Sequence, residues 1–307
     1  MKFISKFIKT PREIGWIIIF YACRWLPDKL YLRAMFWVLM GQRLNLKNPH
    51  SFSEKLQWLK LYNRKPEYTI MVDKVKAKEY VASVLGDDYI IPTLGVWDDP
   101  EKIDFNVLPD RFVIKCNHNS GTGMYICKDK SKMDVEKVKS GLRKGMQENY
   151  FRGNREWPYK NVPRRILAEK YIDHDPQTND LPDYKFFCFN GEPLFCQVIS
   201  GRSTKMCIDF FDKDWNHQPF HEPKSYPFAE SIPQRPLHLD KMWEAAGKLA
   251  KDKPFVRIDF YDVEDSVYFG EITFFPTSGM GGFFPEYYDS LLGEMIDLPH
   301  NKIIDSI

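Results

Sequence analysis

The sequence predicts an α+β fold in which strands arrive as antiparallel hairpins with helices set between them. Two hairpins carry this expectation. Tyr184 to Ser200 alternates apolar and polar residues around Asn190-Gly191, a strong two-residue turn signal. Phe255 to Pro276 repeats the pattern around Glu264-Asp265. Between and before them lie helical stretches, and no internal repeat is visible, so neither a doubly wound sheet nor a solenoid is expected.

In chain order, residues 1–50 read as an N-terminal helical segment rich in aromatic, aliphatic and basic residues. Ser51 opens an N-capped helix with a Ser-x-x-Glu start that stops before Pro66. A second helix is expected from Thr69 to Gly86. A short strand follows, broken by Pro92, and then two strands that flank the loop from Asn117 to Gly123. Asp134 to Asn149 reads as an amphipathic helix, Phe151 to Pro163 as a loop, and Arg164 to Asp173 as a strand. After the Asn190-Gly191 hairpin come a strand from Met206, a helix from His238 stopped by Pro254, and the last hairpin. The expected units are 1–50, 51–110, 111–172 and 173–307.

Composition narrows the function classes. With 307 residues, 43% hydrophobic and 28% charged, the chain can bury a large core. Its 44 basic and 42 acidic residues give no electrostatic case for a nucleic-acid partner. Six cysteines without a CxxC pair read as free thiols in a reducing cytoplasm. The longest uncharged stretch of the N-terminal segment, Ile14 to Cys23, is ten residues, half of what a membrane-spanning helix needs. Cytoplasmic localisation is expected. Residues 1–45 either pack on the body of the protein or lie peripherally on the inner face of the cell membrane.

The most informative unit is Arg257-Ile-Asp259, followed twelve residues later by Glu271-Ile-Thr273. Side chains alternate along a strand, so a hairpin would bring Arg257, Asp259, Glu271 and Thr273 to one patch. Two carboxylates suit Mg²⁺, which takes one or two of them together with phosphate oxygens and water. A plain ion-pair cluster on a hairpin is the alternative. Lys115 ends an apolar strand directly before Cys116-Asn-His-Asn-Ser-Gly-Thr-Gly123, whose backbone N–H groups can cradle phosphate. It is not a P-loop, since GxxxxGK[ST] is absent.

Together these motifs resemble the ATP-grasp superfamily, and within it the TupA-like branch named for teichuronopeptide biosynthesis, from about Phe52 to Pro299. The resemblance implies ATP held between two α+β subdomains, with 111–172 as the lid and 173–307 carrying the metal site. It implies a nucleotide site of Lys74, Lys115, Asn119, Ser120, Gly121, Gly123, Glu169, Lys170, Tyr171, Ile172, Asp183 and Lys185. In that site Lys74 is borne on a helix, Glu169 accepts from the adenine amine, and backbone groups of Lys170 and Ile172 meet the ring. Lys185 is a third phosphate contact. Asp259, Glu271 and Thr273 hold Mg²⁺, while Arg257 and Lys115 act on the reacting groups. The superfamily usually carries Asn where this chain has Thr273, which weakens that ligand.

The implied activity is an ATP-dependent carboxylate-amine ligase. Its partners would be an amine or amino acid and a carboxylated glycan, free or lipid-linked, in surface-polysaccharide synthesis. A glycosyltransferase or a sugar kinase is the alternative, and Asp212-Lys-Asp214 is a DxD that a transferase reading could use. His217 and His221 have helical metal spacing, but Pro219 between them breaks such a helix. Arg152, Arg155, Arg164 and Arg165 either hold an acidic sugar or lipid phosphate or belong to a solvated loop.

Overall fold

The computed structural model describes residues 11–173, 181, 183–201 and 205–299, without the side chains of 11–13. Residues 1–10 of the N-terminal segment and 300–307 of the last expected unit lie outside the described residues. The helices are α1 (Pro11–Ala22), α2 (Asp28–Met40), α3 (Phe52–Tyr62), α4 (Glu67–Val72), α5 (Lys76–Leu85), α6 (Val135–Gln147), α7 (Tyr150–Asn154), α8 (Leu239–Ala250) and α9 (Tyr288–Glu294). The strands are β1 (Thr93–Trp97), β2 (Phe112–Cys116), β3 (Tyr125–Cys127), β4 (Ile166–Lys170), β5 (Asp183–Phe189), β6 (Glu192–Ser200), β7 (Cys207–Phe211), β8 (Phe255–Val263) and β9 (Ser266–Thr273).

These strands form two antiparallel sheets, one ordered β1-β4-β2-β3 and the other β7-β6-β5-β8-β9. The first draws on both the 51–110 and 111–172 segments, because β1 pairs with β4. Each sheet has its own apolar core. Ile114, Cys116, Ile166 and Ala168 of the four-stranded sheet pack against Val138 and Leu142 of α6. On the five-stranded sheet, Phe186, Val256, Ile258 and Phe260 face Met242, Trp243 and Leu249 of α8. Ring pairs such as Phe186 with Trp243, centroids 5.4 Å apart and nearly perpendicular, add to the burial of large side chains. With every second residue committed to that core, Lys185, Arg257, Asp259 and Glu271 face the opposite way, into a cleft, while Phe187, Phe189 and Phe255 farther along that face pack around Phe52.

Local signals account for most boundaries. Ser51 and Glu54 make the reciprocal capping box at the start of α3. Asn190 (φ 50°) and Gly191 (φ 91°) form the tight β5–β6 turn. Two expected elements differ. The helix expected over 69–86 is broken at Asp73, whose side chain accepts from Val75 N at 3.0 Å and is also held by Asn117 and Arg165. The loop expected over 151–163 contains α7, capped by Asn149, and a 3₁₀ turn over Trp157–Asn161.

The N-terminal segment is also clearer. Leu32, Phe36, Leu44 and Leu46 belong to the larger core, so α2 is part of the body. Arg155 ties the α1–α2 turn down: its guanidinium donates to the carbonyls of Arg24 (2.7 Å) and Leu26 (3.2 Å), and stacks on Tyr31 at 4.1 Å. Of the arginine cluster, Arg155 is therefore buried and structural rather than part of a solvated loop, and Arg165 pairs with Asp73. Among the described residues, no helix is long and apolar enough to cross a membrane.

Arg155→Ala should lower the unfolding free energy by roughly 2 to 3 kcal/mol, since it removes charge-assisted bonds to two buried carbonyls. Urea unfolding of the variant measures this, and an unchanged midpoint would contradict the anchoring role.

Candidate active site

The cleft face of the five-stranded sheet gathers five charged side chains from three adjacent strands. In the β8–β9 ladder Arg257 lies opposite Thr273 and Asp259 opposite Glu271, while β5 places Lys185 opposite Asp259. The Arg257 guanidinium grips Asp259 with Nε to Oδ1 at 2.7 Å and Nη2 to Oδ2 at 2.8 Å. The same Nη2 donates to Glu271 Oε1 at 2.8 Å and to Thr273 Oγ1 at 3.2 Å. One nitrogen thus touches both carboxylates, so their oxygens lie within twice that distance of each other. Lys185 Nζ bridges Asp183 (2.7 Å) and Asp259 (2.5 Å).

Burial opposes charge in this cluster, and the network offsets it. Glu271 would be pushed up by burial, but Arg257, Lys74 and Lys185 hold its carboxyl down to about 2. Its side chain remains 41% exposed at the cleft, while Asp259 is only 2% exposed. The donor set fits Mg²⁺. Two carboxylates and a hydroxyl oxygen sit together, one carboxylate faces the cleft, and cations for phosphate lie opposite. Among the described residues no cluster of three or more His, Cys, Asp or Glu could hold a metal, so the remaining ligands would be phosphate and water oxygens.

Opposite the carboxylates stands a group of lysines. Lys115 Nζ on β2 pairs with one oxygen of Glu169 on β4, and Lys78 Nζ on α5 pairs with the other at 2.6 Å. Lys74 sits in the break between α4 and α5, not on a helix as expected, with Nζ donating to the Asn119 carbonyl at 2.6 Å. Burial lowers the pKa of both Lys74 and Lys78 against the pull of nearby carboxylates. A narrow cavity touches Lys74, Lys78, Lys115, Glu169 and Glu271 at once.

Two larger cavities flank that centre. One, of about 340 Å³, is lined by Lys115, Glu169, Lys170, Tyr171, Ile172 and Asp183, with apolar walls from Ile91, Val113, Ile126 and Leu181. The expected hinge residues and the strand ending at Lys115 therefore face one pocket. The other cavity, of about 360 Å³, is lined by Ser120, Arg257, Glu271 and Thr273 on one side.

Several residues play other parts than those expected. Both Glu169 oxygens are engaged by lysines, so it orients Lys78 and Lys115. The Lys170 N–H donates to the Pro92 carbonyl at 2.9 Å. Lys185 is buried between two aspartates, which makes it a brace for the carboxylates rather than a phosphate contact. The side chain of Asn119 turns away from the cleft to Glu148 (3.0 Å) and the Gly145 carbonyl. Gly123 is pinned on α6, where a Cβ would come within 2.9 Å of Cys116 Sγ, whereas at Gly121 (φ 86°) nothing lies nearby. The tip residue Ser120 lines the cavity beside Arg257.

Sequence reading missed three contributors. Lys78 lies four residues after Lys74, a spacing that could have marked it. Lys60 and Glu222 gave no local signal. They clamp the turn Pro276–Gly279, where Thr277 (φ 48°), Ser278 (φ 55°) and Gly279 (φ 62°) are all left-handed. Lys60 Nζ donates to Ser278 O at 2.8 Å, Gln57 to Gly279 O at 2.9 Å, and the Thr277 hydroxyl to Glu222.

A family model described as TupA-like ATPgrasp matches residues 54–297. The chain belongs to the TupA-like ATP-grasp family. The α+β ATP-grasp fold expected from the motifs holds. No curated protein matches the chain significantly. Among solved structures, D-alanine–D-alanine ligase from Bacillus anthracis complexed with ATP is 18% identical, over 74% of this chain and 64% of that one, with a TM-score of 0.41. The corresponding ligase from Helicobacter pylori is 15% identical over 82% and 68%, with a TM-score of 0.46. The ATP-grasp ligase PsnB, complexed with minimal precursor, Mg and ADP, is 12% identical over 72% and 57%, at 0.37. At these identities the family match, not the neighbours, carries the assignment.

Burial pushes the Glu222 carboxyl up to about 7 despite the Thr277 hydroxyl. Folded protein therefore holds this proton over a pH range in which unfolded chain, near 4.5, has lost it. The resulting stability is complete below about pH 4.5 and is lost as pH rises through 7, on the order of 3 kcal/mol for a group titrating alone. Glu222→Gln should accordingly gain stability relative to the parent between pH 5 and pH 8, as read from urea unfolding. Parallel pH profiles for the two proteins would contradict this account of Glu222.

Proposed function

We propose that the chain is an ATP-dependent carboxylate-amine ligase that works through an acylphosphate. The single observation behind this reading is the Arg257 guanidinium bridging two in-register carboxylates, one of which, Glu271, shares a cavity with Lys74, Lys78 and Lys115. ATP would lie with its base in the apolar pocket beside Lys170, Tyr171 and Ile172 and its phosphates on the three lysines. Asp259, Glu271 and Thr273 would hold Mg²⁺, which when bound shields the phosphate oxygens and favours in-line displacement.

A substrate carboxylate oxygen attacks the γ-phosphorus, the bond to the ADP oxygen breaks, and ADP leaves. An amine then attacks the acyl carbon, loses a proton, and expels phosphate as the carbon–nitrogen bond forms. Arg257, oriented by its grip on Asp259 and Glu271, offers its Nη1 donors to the charge that develops on the transferring group, and the lysines offset the triphosphate. Positioning does most of the work, since phosphoryl transfer needs little covalent help. The clamped turn Pro276–Gly279 and Ser120 border the cavity on the Arg257 side, where the acceptor would enter.

For the substrates we infer an amine or amino acid joined to a carboxylated glycan of a bacterial surface polysaccharide, made on the cytoplasmic side. The family's association with teichuronopeptide biosynthesis supports this reading, and so does a polar acceptor cavity of sugar size.

Lys115→Ala should weaken ATP binding roughly ten- to hundredfold in calorimetric titration, the worth of a charge-assisted phosphate contact. Unchanged affinity would reject the lysine's role. Arg257→Lys should keep ATP affinity within a few-fold while turnover falls about a hundredfold. Turnover is followed as ADP release on a panel of amino acids and uronic-acid glycans. ADP with free phosphate supports the ligase, whereas ADP with a phosphorylated sugar would make the protein a kinase.

A further inference from the structure

The cavity beside Arg257 has a second, unlike wall. Opposite its polar side it is lined by Trp16 of α1 and by Tyr31, Met35 and Leu39 of α2. These residues precede the family match, which begins at residue 54. The wall is seated by close packing. Gly15 faces Val38, and Phe20 lies so near Gly153 that a Cβ there would come within 2.8 Å of the ring. Tyr31 fixes the other end with its hydroxyl donating to the Gly153 carbonyl at 2.7 Å.

The outward face of the same two helices is apolar and uncovered. Ile14, Ile18 and Tyr21 follow one another at intervals of four and three residues, which places them on one stripe of α1, Trp25 lies in the turn just beyond its end, and all four are exposed. On α2, Leu30 and Trp37 stand two turns apart and are exposed as well, Trp37 at 63% and Trp25 at 79%. Residues 1–50 carry nine Lys and Arg against two Asp and Glu, although the whole chain is only +2. Tryptophans and isoleucines interleaved with cations are what an anionic bilayer interface accepts. Leu39 belongs to both regions, being part of the cavity wall and 39% exposed.

We propose that α1 and α2 lie on an anionic membrane by this stripe, and that the cavity receives an acceptor carried by a lipid. The acceptor's polar head sits at Arg257 and Thr273, and its apolar chain leaves past Met35 and Leu39 to the bilayer. The chemistry at Arg257 rests on the ligase reading, whereas the membrane contact does not. The segment outside the family match then decides which acceptors reach the reacting groups.

The test is flotation of the full chain with phosphatidylcholine vesicles, plain or with about 30% phosphatidylglycerol. Binding is expected only to the anionic vesicles, weakening with salt, and the double variant Ile18→Glu/Trp25→Glu should bind roughly tenfold less. Its ATP affinity should equal the parent's, which shows that it is folded. Farnesyl phosphate, a soluble stand-in for a lipid phosphate, should raise the melting temperature of the parent but not of Leu39→Arg. Failure to float, or flotation equal in the double variant, would overturn the membrane contact. Loss of a dimer in that variant would do the same and make the stripe a protein interface. No farnesyl phosphate shift, or an equal shift in Leu39→Arg, would overturn the acceptor assignment. ADP release on soluble substrates, measured in parallel, keeps the two readings apart: release without vesicle binding removes only this inference, and vesicle binding without release on any substrate removes the ligase.

Discussion

The structure of the cleft depends on one ion network, the Arg257 guanidinium held between Asp259 and Glu271 on paired strands. Arg257 and Asp259, whose side chains are 11% and 2% exposed, are stable as ions only when partnered, because a buried lone ion costs several kcal/mol. The register that faces Asp259 to Glu271 supplies the partners, and Lys185 from β5 completes them. Removing one member would leave another uncompensated. That constraint makes β5, β8 and β9 a rigid floor, and it explains why a network of ion pairs can also serve as a ready oxyanion and metal surface.

The four-stranded sheet answers with the opposite charge. Glu169, buried at 4% exposure, draws Lys78 and Lys115 into the cleft from different elements, and the helix break at Asp73 turns Lys74 toward the same cavity. The Asp73 carboxylate binds Asn117 and Arg165, which fastens the break to the start of the glycine loop and to the approach to β4. Carboxylates on one sheet and lysines on the other leave a gap whose two sides match a metal-bound polyphosphate. The glycine loop is held at both sides of its tip, since α6 contacts Gly123 and accepts from the Asn119 side chain.

The sequence made the floor of this cleft legible and its supports much less so. Arg257, Asp259, Glu271 and Thr273 could be placed because strand alternation is strict and the intervening stretch is hairpin length. The Asn190-Gly191 turn and the Ser51 cap were equally local. What depends on distant partners was not visible. The break at Asp73 is made by residues 44 and 92 positions away, and Lys60 reaches Ser278 across 218. Lys185 looked like a strand lysine because nothing nearby in sequence says that Asp259 will lie opposite it. Asn119 read as a phosphate ligand because composition shows a polar loop but not which way its side chains turn.

The most direct measurement is a crystal structure with Mg²⁺ and a non-hydrolysable ATP analogue. The expected result is a metal about 2.0 to 2.1 Å from oxygens of Asp259 and Glu271, with the triphosphate against Lys74, Lys78 and Lys115. Nucleotide bound outside this cleft, or a metal that touches neither carboxylate, would contradict the account at its centre.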